Sequence, residues 1–211
     1  KAIYAQALGH SFDATQHFFQ GDSGKAIEFH GRYLEKFAEV NAARERRVKK
    51  MLAQLYDKIT ERYPELREEP EIRVVVPFGA SHLSLYHAAK TMNFNEVNPI
   101  QRGRKRILAE DTQKGSEAPL DKEHIVQNFM HGLIAPQIMD MGIDDENAIK
   151  IAEQVAKQIS LEKFNSITAR TLATFPKPFN ERFLEAIAAE GINVPRIKQQ
   201  AREFLRTQRP K

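Results

Sequence analysis

Residues 73–90, RVVVPFGASHLSLYHAAK, hold the side chains of this chain best placed to do chemistry. A β-branched run leads into Gly79-Ala80-Ser81-His82, and a helical pattern follows. At a helix N-terminus the backbone dipole disfavours an imidazolium, so His82 is expected to stay neutral. A neutral imidazole is what a metal ligand or a general base requires. His82 also falls beyond the carboxyl end of the expected strand, where open α/β sheets bind ligands. The bland alternative is a histidine that caps the helix or fills a gap, because position in a fold does not fix function. Ser81 sits in a sequence approaching G-x-S-x-G, but Leu83 replaces the second glycine, so Ser81 reads better as a helix cap. The amides from Gly79 to His82 form the place where an anion could be held at the helix start.

Other candidates are weaker. His87 follows His82 by five residues and falls on a different helix face, and no H-E-x-x-H is present. His10 and His17, like His124 and His131, are seven apart and lack a carboxylate partner nearby. Both pairs read as packing or surface residues. Arg44, Arg46, Arg47, Lys49 and Lys50 spread round a helix, and a solvated face is their default reading. If that helix packs on the sheet, Arg44 or Arg47 could face the His82 turn and grip a carboxylate or phosphate through two parallel hydrogen bonds. Arg102, Arg104, Lys105 and Arg106 offer a basic linker for nucleic acid, with little aromatic interleaving to stack bases.

The elements that would position these groups are mostly helical. Residues 25–63 carry Ile27, Tyr33 or Leu34, Phe37 and Val40, then Val48, Met51, Leu52, Leu55 and Ile59, at three- and four-residue spacing. Asn41 is a possible cap or break, and Pro64 ends the pattern. Gly21 to Gly24 have turn composition. Ile72–Val76 is expected as a strand buried on both faces, followed by a helix from about 82 to 92 and a second strand in FNEVNPI, a right-handed βαβ unit. From Asp121 onward the pattern is helical. Asp121, Asp144 or Asp145 and Asn180 are candidate caps, interruptions fall near Gly132 and Pro136, and Gly191 is a stop. Residues 194–208, VPRIKQQAREFLRTQ, read as a basic amphipathic helix.

Two strands make a poor sheet alone. Either KAIYAQAL near the start supplies another, or the partners lie on another chain or on a missing N-terminal part. A chain beginning Lys1-Ala2-Ile3, without methionine, reads as a piece of something longer. Its 211 residues can bury a core without staples. There are no cysteines, which excludes disulfides, thiolate metal sites and a cysteine nucleophile. The formal net charge of +4 does not by itself imply nucleic acid. No apolar run approaches the ~20 residues of a membrane span and no signal peptide is evident, so a soluble protein is expected, in a compartment left open.

The stretch from Phe18 to Val97 resembles the TraB/PrgY/Tiki family. HFFQGDSGKAIEF resembles its first motif. ARERRVKKMLAQL resembles its Arg-containing helix of type E-R-x-x-x-M, with Arg47 four residues before Met51. VVVPFGASHLSLYHAAKTMNFNEV resembles its strand and Gly-x-x-His turn, with Gly79 and His82 as the pair. The resemblance covers about 80 residues and implies an α/β fold of two similar halves. It further implies a metal-dependent peptidase or a binder of peptide signals, with His82 as a metal or catalytic histidine and Arg47 as a site arginine. Arg46 stands where the family has glutamate, and the first half with its own histidine turn is absent.

Together these readings predict an α+β, mainly helical protein. A small mostly parallel sheet in an α/β unit (1–98) is joined by a basic linker (99–120) to a helical region (121–211). The leading function is a metal-dependent hydrolase or peptide-binding protein. His82, Arg47 and Arg44 would be catalytic, Gly79 and Ser81 ligand-binding, and a divalent metal would be held through His82. A homo-oligomer, or a missing N-terminal half, would complete the site. The alternatives are a non-enzymatic interaction module, whose helical C-terminal half would bind a protein partner while the histidine turn is structural or an inactive remnant, and a nucleic-acid-binding protein using the linker and the closing helix.

Overall fold

The computed structural model describes residues 2–74 and 120–193. Helix α1 (Ala2–Phe19) turns through Gln20, Gly21 and Asp22 into the long α2 (Ser23–Ala53). Then come α3 (Leu55–Arg62) and a short 3₁₀ turn (Pro64–Glu68). After the undescribed stretch follow α4 (Lys122–Met139), α5 (Asp145–Ala156), α6 (Leu161–Ala173) and α7 (Phe179–Ala189).

The expected parallel sheet is overturned. The described residues are 79% helical and none is in a strand, so the protein is not α+β as far as it is described. Residues 71–74, the start of the expected Ile72–Val76 strand, have no regular structure, and Val74 is exposed. A β-branched run expresses only a propensity, and a strand also needs neighbours to pair its amides and carbonyls. The segment weighed as a third strand, KAIYAQAL, lies mostly in α1, whose Ala2, Ala5 and Ala7 are strong helix formers.

Local chemistry sets most helix ends. Asp22 Oδ1 accepts from Lys25 N at 3.0 Å and starts α2. Asp121 Oδ1 accepts from His124 N at 2.8 Å and starts α4. Asp144 Oδ1 takes Glu146 N and Asn147 N at 3.1 and 3.2 Å for α5. Ser160 Oγ takes Lys163 N for α6. These bonds favour the ionised form and hold the three aspartates below the usual carboxylate range. Gly191, at φ 74°, ends α7 in the left-handed conformation that a side chain disfavours. Three expected breaks are absent. Asn41 lies buried inside an unbroken α2, and α4 runs through both Gly132 and Pro136. Asn180 lies inside α7, whose N-cap is Pro178.

The helices pair as sequential hairpins, α1 with α2, α4 with α5 and α6 with α7, as short connections dictate. The hairpins share one apolar cluster. Phe18 of α1 is fully buried, with its ring centroid 5.7 Å from Phe129 of α4, 6.0 Å from Phe164 of α6 and 6.2 Å from Phe183 of α7. Burying each such ring contributes about 1.5–3 kcal/mol. Gly31 lets α4 approach α2 closely, since a Cβ there would stand 3.0 Å from Ile125 Cδ1. Arg182 of α7 donates from Nη1 to the Thr171 carbonyl at 2.7 Å and locks α7 to α6. At 1.5 Å per residue α2 is about 46 Å long and α1 about 27 Å. The last turns of α2 therefore run past the start of α1.

Candidate functional site

Gly79, Ser81 and His82 lie outside the described residues, as do the linker basics and the closing basic segment. Of the expected site, Arg44 and Arg47 remain. They sit about one turn apart on α2, both exposed. The Arg44 guanidinium lies 5.8 Å from the centroid of the Tyr4 ring, a cation–π contact that pins the start of α1 to α2. Arg46, Arg47 and Lys50 lie on the exposed side of α2, away from its buried Leu52.

The histidines are packed rather than poised. His30 of α2 is buried against α4, where its Nε2–H donates to Asn128 Oδ1 at 2.9 Å. The ring lies 5.0 Å from Phe129 and 5.3 Å from Tyr33, and Nδ1 is buried without a partner. Burial in this apolar seam pushes His30 down to about 4, and the bond to Asn128 only partly opposes that. A neutral imidazole with one nitrogen engaged and the other sealed off can hold two helices together. It has no route to a substrate. His10 and His17 flank Phe29, at centroid distances of 6.0 and 5.2 Å, each with Nδ1 buried and unpartnered. Burial also lowers His131. Among the described residues no group of three or more His, Asp or Glu side chains could hold a metal ion. His10 and His17 thus pack against Phe29, whereas His124 Nδ1 lies 3.5 Å from Asp121 Oδ2, a carboxylate neighbour that the sequence reading had not given it.

The sequence reading passed over His30, although it falls on the stripe of Ile27, Leu34 and Phe37, where a histidine must be buried. It passed over another feature as well. On α1, Tyr4, Leu8 and Phe12 recur every four residues, and Phe19 continues the same side. They are respectively 42%, 48%, 81% and 47% exposed, while Ala7, Ala14 and Phe18 of the same helix are fully buried. Helix α1 therefore has two apolar sides, one turned to the core and one to solvent.

No family model matches the chain, and neither a curated protein nor a solved structure matches it. The likeness to the TraB/PrgY/Tiki family thus rests on the quoted motifs alone, and the α/β fold it implied is absent among the described residues. No helix among them is long and apolar enough to cross a membrane.

Proposed function

We propose that this chain is a non-enzymatic helical module that binds a protein partner through the outer side of α1. The supporting observation is the solvent-facing row Tyr4, Leu8, Phe12 and Phe19. A single exposed apolar residue is ordinary. Four on one helix side, flanked by the uncharged Ala5, Gly9 and Gln16, form the kind of patch that marks a contact surface. Helix-in-groove recognition uses anchors at this spacing. The sequence led to an interaction module binding through its C-terminal helices; the exposed apolar row supports α1 instead. Hydrolytic chemistry through His82 rests on residues outside the described ones.

The test is an apolar environment-sensitive dye added to dilute native protein. The dye should bind, and the double variant Leu8→Glu, Phe12→Glu should lose most of the signal while keeping its helical circular dichroism. Equal dye binding by the folded variant would refute the reading.

A further inference from the structure

We propose that the end of α2 that runs past α1 binds a single strand of nucleic acid through its phosphates. Charge is concentrated there. Arg44, Arg46, Arg47, Lys49 and Lys50 against Glu45 alone give residues 44–50 a net charge of +4, equal to that of the whole chain. Arg46, Arg47 and Lys50 are exposed and fall within an arc of about 100° of the helix, with Glu45 set about 100° or more from each. None of the three joins an ion pair among the described residues. Charge elsewhere is balanced. Lys25, Arg32 and Lys36 of the same α2 each meet a carboxylate, as do Lys150, Lys157 and Lys177. Like charges three and four residues apart weaken a helix. A bound polyanion relieves that repulsion.

The spacing fits a line of phosphates. Arg44, Arg47 and Lys50 recur every three residues, so they wind along the helix in steps of about 4.5 Å and span about 9 Å. A stacked strand sets down one phosphate about every 3.4 Å, so the row meets about three of them. Each arginine can take a phosphate through two parallel hydrogen bonds. The Arg44 guanidinium is already held 5.8 Å from the centroid of the Tyr4 ring, so it loses less freedom on binding. Past the row, α3 presents Tyr56, 60% exposed, a flat face on which a base can stack. A membrane surface suits this side less. A helix lying on lipid needs large apolar residues beside its charges, and the arc of Arg46, Arg47 and Lys50 encloses the small Ala43.

Fluorescence anisotropy on the whole chain tests this, with labelled oligo(dT) and oligo(U) of about 20 nucleotides as probes. The expected dissociation constant is micromolar at about 50 mM salt and rises with salt at a log–log slope of about 3, for four cations on a single strand. The variant Arg46→Gln, Arg47→Gln, Lys50→Gln should bind roughly tenfold more weakly, with the slope falling to about 1. The control Lys150→Gln, Lys157→Gln, Lys177→Gln removes the same formal charge from ion-paired sites and should bind within about twofold of the natural chain. No binding of either oligonucleotide at ~100 μM protein would overturn the proposal. So would equal losses in the two variants, which would assign the binding to net charge alone. Binding left intact by the α2 substitutions would overturn it too, by placing the contact on other basic residues. Vesicles of phosphatidylserine and phosphatidylcholine are the competing probe. Binding to these, with none to the oligonucleotides, would make this side a lipid contact instead.

Discussion

Lowering the pH should weaken this fold through His30, by an amount the structure allows to be worked out. His30 titrates near 6.5 in an unfolded chain and near 4 in the folded one. Above pH 6.5 both states hold the ring neutral, and its titration contributes no difference. As the pH falls below 6.5 the unfolded state takes up a proton that the folded state refuses, so stability drops by about 1.4 kcal/mol per pH unit. The loss continues until about pH 4, where the folded ring also protonates. Over the whole window it amounts to about 3 kcal/mol, a large share of a typical domain's stability. The cause is structural. A proton on Nδ1 would place a charge and an unpaired donor between Phe129 and Tyr33. The assay is urea unfolding between pH 7.5 and 4.5, on the natural chain and on His30→Gln, which keeps a donor for Asn128 but cannot titrate. Burial also lowers His131, so some acid sensitivity remains in both proteins. The difference between their slopes isolates His30 and should approach one proton in the window. Parallel pH profiles would refute the reasoning.

Two further predictions concern local structure. Gly21→Ala should cost about 1–2 kcal/mol in thermal unfolding, because the residue sits at φ 82° and a Cβ would press 3.0 Å from Leu172 Cδ1. An unchanged melting temperature would show that the turn into α2 is formed differently. Asp144→Ala should cost about 1 kcal/mol by chemical denaturation, since it leaves the amides of Glu146 and Asn147 without their acceptor, while Asp144→Asn should retain most of that stability.

The parts legible from sequence were those governed by local chemistry. Asp121, Asp144 and Gly191 act at helix ends because a short acceptor and a residue free to take positive φ work within a single turn. The three- and four-residue spacing from Ile27 to Ile59 reported the helices, but not that α2 runs unbroken through Asn41. That residue resembles a cap locally and is buried by tertiary packing. Pro136 misled in the same way, since the burial of Ala135 and Ile138 compensates for its missing amide. The sheet was misjudged because a β-branched run says nothing about whether partner strands exist. The outer side of α1 went unnoticed once its first residues were weighed as a strand, since the Tyr4–Leu8–Phe12 recurrence has meaning only on a helix.

Thermal unfolding of Phe12→Glu beside Phe18→Glu bears most directly on the claim that α1 has one side for the core and one for a partner. The rings belong to the same helix, one 81% exposed and the other fully buried. Phe12→Glu should melt within a degree or two of the natural chain, and Phe18→Glu should unfold far earlier or fail to fold. Comparable losses from both substitutions would mean that the outer side is part of the protein's own interior, and the interface account would be wrong.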